Sequence, residues 1–176
     1  MKNFDDLINI ILTTHSHLQN LSVNAINRNL TIRNWLIGFY IKEFEQKGKD
    51  RAQYGKNLIK NLADNLNIKG LTAPELSRCR QFYNCYPHIL GALTQEYNKI
   101  LPKSIFGSLP QKLKTKTLSK VSPITIINKL SYTHLVELIK ISDDLKRTFY
   151  EIECIKGTWS VRELKKNDQL KHLFLR

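Results

Sequence analysis

Cysteine is scarce in this 176-residue sequence, and long apolar runs are absent. Three scattered cysteines do not form a disulfide framework, so we expect a reducing compartment, the cytoplasm. The longest apolar run covers only residues 35–41, whereas a membrane helix needs roughly 18 or more apolar residues. At the N-terminus two acids follow the single Lys2, and no small-residue cleavage site follows an apolar core, unlike in a secretory signal. We therefore expect neither a membrane span nor a secretory signal.

Acidic residues are scarce in the middle of the chain. The whole sequence has 28 Lys and Arg against 15 Asp and Glu, a net charge of +13. Between Glu75 and Glu137, however, Glu96 is the only acid, whereas nine Lys and Arg lie there. A field of one sign attracts polyanions, which favours double-stranded DNA as a partner. The alternative is a solvated Lys-rich surface, and no basic amphipathic helix suggests a membrane partner.

Helical spacing dominates the apolar pattern. It predicts a helix over residues 3–21, a weak polar interval around Asn29, Thr31 and Asn34, and then a buried helix over 35–44. Gly38 inside that helix would allow a close helix crossing. Further caps and apolar faces follow, with Ser131 as one cap and Ser160 with Glu163 as another. The sequence thus predicts an all-α helical bundle of about seven helices, with one long basic loop.

These features divide the chain into four predicted parts. They are an N-terminal helix (1–21), a helical core (22–97) with a helix-turn-helix at about 50–86, a basic Pro- and Lys-rich loop or arm (98–130), and C-terminal helices (131–176).

The second helix of the predicted helix-turn-helix suits the recognition of DNA. Thr72 and Glu75 predict a capping box at its start. At about 100° per residue, Leu76, Cys79 and Tyr83 share one face, and polar side chains that could contact DNA occupy the other. The candidates for reading bases are Ser77, Arg78 and Gln81. The candidates for contacting the DNA backbone are Arg80, Asn84, Lys99, Lys103, Lys112, Lys114, Lys116 and Lys120.

Catalytic and metal-binding patterns are weak. Glu151 and Glu153 have the residue types of a nuclease site but lie on a predicted helix. His15 and His17 point in different directions on a helix. Cys79 is predicted in the core and Cys85 as an exposed thiol, with no second pair to complete a zinc site. We predict no catalytic residues, no metal and no cofactor.

The sequence resembles the N-terminal domain of the bacterial YhcG-type family. The resemblance rests on five stretches in the family's order: residues 34–48, 51–56, 80–87, 130–134 and 149–164. It implies a helix-turn-helix DNA-binding domain that precedes a PD-(D/E)XK nuclease domain. Because the chain ends at Arg176, we expect it to lack the nuclease centre and not to be an enzyme itself. A nuclease domain or subunit is then an expected partner. The alternative is a protein-interaction or dimerisation domain, with a homo-oligomer as one outcome.

Overall fold

A computed structural model describes residues 4–47, 57–89 and 121–174. These residues form seven α-helices and one short 3₁₀ turn, without strands, which confirms the all-α prediction. The helices are α1 (Phe4–Lys47), α2 (Leu58–Leu66), α3 (Ala73–Cys85), α4 (Pro123–Lys129), α5 (Tyr132–Leu138), α6 (Asp144–Lys156) and α7 (Val161–Phe174), and the 3₁₀ turn is Pro87–Ile89. None of these helices has an apolar stretch long enough to cross a bilayer.

Helix α1 is one continuous helix of 44 residues, about 66 Å long at 1.5 Å per residue. The helix predicted over residues 3–21 is therefore only the first part of a longer helix, and the weak polar interval around Asn29, Thr31 and Asn34 does not end it. The polar side chains of that interval are accommodated within the helix. The Thr31 hydroxyl donates to the Asn27 carbonyl at 2.9 Å, and the buried Asn34 accepts a bond from Arg33. Both polar groups are thus satisfied without ending the helix.

Helices α1 and α3 cross in close contact at Gly38. A Cβ atom on Gly38 would lie only 2.0 Å from the carbonyl oxygen of Cys79 on α3. This confirms the close crossing that the glycine predicted. Beside it, the Trp35 indole nitrogen donates to the carbonyl oxygen of Tyr86 at 2.8 Å, and both side chains are fully buried. The crossing thus lies within the main hydrophobic core.

The main hydrophobic core combines residues from the first helix with residues from the C-terminal helices. It contains Trp35 and Phe39 from α1, Phe82 from α3, and Leu135 and Leu138 from α5. Residues of α4, α6 and α7 complete it. A smaller apolar cluster joins α1 to α2 and α3 around Ile41, Leu71 and Leu76.

The helix starts show which capping signals were correct. The Ser131 hydroxyl accepts from the backbone of His134, and the Glu163 carboxylate accepts from the backbone of Ser160, so both predicted caps are present. Thr72 is the N-cap of α3 but makes no side-chain capping bond, so the capping box predicted with Glu75 is not formed.

Two parts of the predicted organisation differ from the structure or lie outside it. Most of the predicted basic arm, up to residue 120, lies outside the described residues. Its end is helical instead of a loop, because Ser122 caps α4 and Pro123 occupies the tolerant first turn. Between α2 and α3, residues 67–72 form a turn in which Asn67 and Gly70 have positive φ angles of 45° and 89°. Gly70 suits that conformation because it lacks a Cβ atom.

Candidate nucleic-acid interface

Helix α3 carries the described residues that were predicted to face DNA. Its inner side places Phe82 in the main core and Leu76 in the smaller cluster, and Cys79 lies against Gly38 of α1; all three are fully buried. Tyr83, which was predicted on the buried face, is half-buried, and its ring packs edge-on against Trp35 with the centroids 5.2 Å apart. The outer side of α3 exposes three of the candidates, Arg78, Gln81 and Asn84, and leaves Ser77 half-buried.

Arg78 is the exposed cation of this outer side. Its Nη1 atom donates to Oε2 of Glu75 at 2.8 Å, and 48% of its side chain remains accessible. Glu75 thus pairs with Arg78 instead of capping Thr72. An exposed ion pair of this kind contributes only about 0–1 kcal/mol, because solvent screens it. A phosphate or a base edge therefore competes with Glu75 at small cost.

Arg80 points away from Arg78 and connects α3 to α1. Its Nη1 atom lies 2.7 Å from Oε1 of Glu45, and Lys42 donates to the other oxygen of the same carboxylate at 2.9 Å. Burial alone would raise the pKa of Glu45, but the hydrogen bonds from Lys42 and Arg80 outweigh it and the pKa is lowered. Arg80 therefore has a structural partner, the carboxylate of Glu45 on α1.

Gln81 connects α3 to the end of α5. Its Nε2 atom donates to the carbonyl oxygen of Ile139 at 2.8 Å. A glutamine that reads adenine uses both its amide nitrogen and its amide oxygen. In this structure the nitrogen of Gln81 is engaged, so reading a base would require that bond to break.

The lysines predicted to contact the DNA backbone follow α3 in the sequence. Lys99, Lys103, Lys112, Lys114, Lys116 and Lys120 all lie outside the described residues. The described ranges hold 17 Lys and Arg against 13 Asp and Glu, a net +4 of the total +13. The rest of the chain therefore carries most of the excess positive charge.

A buried polar cluster behind α3 was missed by the sequence analysis. The Tyr86 hydroxyl donates to Oε1 of Glu151 at 2.7 Å, and both side chains are almost fully buried. Arg147 lies over the Tyr86 ring, 5.8 Å from its centroid, and donates to the Ile141 carbonyl at 3.0 Å and to Asp144. Burial, and then Glu151, raises the pKa of Tyr86.

One signal could have revealed that cluster. Arg147, Tyr150, Glu151 and Cys154 follow the i, i+3, i+4, i+7 spacing of a buried helix face, although two of them are charged. Glu151 therefore lies in the core as the partner of Tyr86. Within the described ranges, no group of three or more His, Cys, Asp or Glu side chains is arranged to hold a metal ion.

Two side chains discussed as possible functional groups, those of His134 and Cys85, contact other parts of the folded domain. His134 lies in the first turn of α5. Its Nδ1 atom accepts from the Ser131 backbone at 3.3 Å, and its Nε2 atom lies 2.9 Å from the carbonyl oxygen of Trp159, so it joins α5 to the start of α7. Cys79 is buried as predicted, but Cys85 is half-buried against the core, and burial raises the pKa of its thiol. The expectation of an exposed Cys85 thiol is therefore wrong.

Comparison with known proteins gives a family match over most of the chain. The model of the DUF1016 N-terminal domain matches residues 11–176. A curated Escherichia coli (strain K12) protein named "Putative nuclease YhcG" is 32% identical over 151 residues. The match covers 82% of this chain and 39% of that protein, so the chain spans well under half of the length of its relative. No solved structure matches significantly.

Proposed function

Because the chain belongs to the DUF1016 N-terminal domain family and is related to a protein named as a nuclease, we propose that it is a DNA-binding module that serves a PD-(D/E)XK-type nuclease. In this proposal α2, the turn at residues 67–72 and α3 act as a helix-turn-helix. The module binds duplex DNA and does not cut it. Cleavage belongs to a nuclease domain or subunit with which the module works.

The distribution of charge is the observation that carries this proposal. The acid-poor span begins just after Glu75 on α3, so the exposed face of α3 and the lysines that follow it in sequence have the same sign. Phosphate contacts by Lys and Arg supply most of the general affinity of DNA-binding proteins. We assign those contacts to the lysines between residues 99 and 120 and to Arg80 and Asn84.

Arg78 is the best-placed residue for reading bases. It is exposed, and its pairing with Glu75 is weak enough to be exchanged. Arginine binds guanine through two hydrogen bonds, which discriminate against other bases by about 1–3 kcal/mol. Ser77 and Gln81 flank it on the same side of α3, and Gln81 contributes once it releases Ile139.

A salt series tests the general binding. Titration of the chain with duplex DNA at increasing salt should show affinity that falls steeply, with a slope set by the number of phosphate contacts. The variant with Lys112, Lys114, Lys116 and Lys120 changed to Gln should bind every duplex more weakly and have a flatter slope.

A matched variant controls for net charge. Lys140, Lys156, Arg162 and Lys166 are exposed on the C-terminal helices or at the end of one, and their change to Gln removes the same charge. The slope of this control should remain close to that of the unmodified chain. Equal slopes for the two quadruple variants, or no binding at physiological salt, would refute the proposal.

Selection from random duplexes tests the role of α3. Arg78→Ala should relax the sequence preference more than it lowers general affinity, and Arg80→Ala should do the reverse. Arg80→Ala also removes the ion pair with Glu45, so its thermal stability is measured in parallel. If both variants select the same sites as the parent with the same affinity, α3 does not recognise DNA.

A cleavage assay tests the assignment of catalysis elsewhere. The purified chain with Mg²⁺ or Mn²⁺ should leave plasmid DNA intact. Cutting that persists through further purification and disappears in Glu151→Ala or Glu153→Ala would show that this domain is itself the nuclease.

A further inference from the structure

One side of α1 carries a row of exposed apolar side chains, interrupted by Gln19, that the described residues leave uncovered. Leu12, Val23 and Ile26 are 59%, 50% and 67% exposed. At about 100° per residue they lie within roughly 60° of one another around the helix. Large apolar side chains exposed together on one face are typical of an interaction surface.

The same part of α1 has no charge. Residues 7–27 contain no Asp, Glu, Lys or Arg, although the whole chain carries a net charge of +13. Exposed helices normally carry charged residues on their solvent side. An uncharged stretch in a strongly basic protein is the part where two copies approach each other with the least repulsion.

An open apolar groove lies on the same side of α1, farther along the helix. Its volume is about 540 Å³, and it is lined mainly by Ile37, Tyr40 and Phe44 of α1 and by Leu58, Leu62 and Leu66 of α2. The α1 residues of the groove share a sector of about 100° with Leu12, Val23 and Ile26. The exposed row and the groove thus lie on the same side of α1, with the exposed Arg33 between them.

The groove cannot be filled by the exposed row of its own chain. Because α1 is a continuous helix, Leu12 and Ile41 are about 44 Å apart along its axis. A second copy does not have this restriction. In an antiparallel pair centred near residue 28, Leu12 of one copy lies beside Phe44 of the other.

We propose that two copies of this chain pair antiparallel along α1, so that the uncharged segment of each helix, residues 12–27, lies against the α1–α2 groove side of the other. The pairing covers residues 12–44, about 50 Å of helix. A contact strip about 10 Å wide then buries on the order of 1,000 Å² in total, close to the lower bound for a specific interface. We expect a dimer that dissociates on dilution.

Sedimentation velocity of the full chain without DNA, from micromolar to sub-millimolar concentration, measures this association. The unmodified chain should change from monomer to dimer as concentration rises. Ile26→Glu should raise the dissociation constant at least about tenfold, because it places an unpaired charge in the interface. Leu66→Glu in the groove should do the same. Asn24→Glu, on the opposite side of α1, adds the same charge and should leave the association unchanged.

Charge pairs test the antiparallel geometry. Near the centre, the two copies of residue 26 are only about 6 Å apart along the axis, whereas the two copies of residue 12 are about 48 Å apart. A mixture of Ile26→Glu and Ile26→Lys chains should therefore restore the dimer. The corresponding mixture of Leu12→Glu and Leu12→Lys should not.

Several results would overturn this proposal. They are a monomer at every concentration, a dimer that Ile26→Glu does not weaken, and restoration by the Leu12 pair. Circular dichroism of each variant shows whether it is folded, and Ile26 is exposed enough to accept a charge in the monomer. Since DNA is absent throughout, these outcomes are independent of the proposed DNA binding.

Discussion

Replacing Gly38 with alanine should separate α1 from α3. The added Cβ would lie 2.0 Å from the Cys79 carbonyl oxygen, 2.6 Å from its carbonyl carbon and 3.0 Å from Cβ of Tyr83. Nonbonded carbon contacts are most favourable at about 3.5–4.0 Å, so the two helices must move apart by roughly 1.5 Å. The atoms in the way belong mainly to the backbone of α3, and rotation of a side chain cannot remove the overlap.

Two effects of opposite sign decide the change in the free energy of unfolding. Alanine favours a helix over glycine by about 1 kcal/mol. Overpacking a core costs typically about 1–3 kcal/mol and occasionally more. Here the cost should exceed that range, because moving α3 also displaces Leu76 and Phe82, which are fully buried. We expect Gly38→Ala to destabilise the domain by about 2 kcal/mol or more, and to lower the Tm by roughly 4–8 °C.

Thermal and urea unfolding followed by circular dichroism measures this effect. Asn24→Ala is the matched control, because Asn24 is exposed on the same helix and alanine there improves only the helix propensity. It should raise the stability slightly, by about 0.5 kcal/mol. If Gly38→Ala also raised the stability, helix propensity alone would govern the position and the close crossing of α1 and α3 would be refuted.

Three further predictions concern polar contacts. A double-mutant cycle on Arg80 and Glu45 should give about 0.2–1 kcal/mol of coupling energy. Because the pKa of Glu45 is lowered in the folded protein, this coupling should be complete at neutral pH and should disappear as acid protonates Glu45. A coupling energy that does not depend on pH would contradict the prediction. Tyr86→Phe should cost about 1–3 kcal/mol in urea unfolding, because the buried Glu151 loses a donor, and an unchanged midpoint would oppose this account. Ser131→Ala should lower the stability by about 0.5–2 kcal/mol through loss of the α5 cap, and a neutral effect would show that the cap contributes nothing.

Local signals in the sequence predicted much of the fold. Apolar periodicity and the caps at Ser131 and Ser160 depend on residues within one or two turns, and the structure contains those caps. The continuity of α1 was missed because Thr31 and Asn34 suggest a break. Their buried positions depend on packing against distant parts of the chain, which periodicity does not report.

The candidate site was less predictable for the same reason. Helical geometry correctly placed Arg78 and Asn84 on the exposed side of α3. It could not show that Arg80 meets Glu45, 35 residues away, or that Gln81 meets Ile139, 58 residues away. Residue type indicates what a polar side chain can bind. Only the tertiary structure shows which partner is within reach.

The main core is built from two pieces of the chain, one before residue 90 and one after residue 120. Trp35, Phe82 and Tyr86 come from the first piece, whereas Leu135 and Glu151 come from the second. Among the described residues, the apolar side chains of each piece pack against those of the other. Residues 1–97 and 98–176 produced as separate polypeptides should therefore be poorly ordered individually and should fold upon mixing, as in fragment complementation.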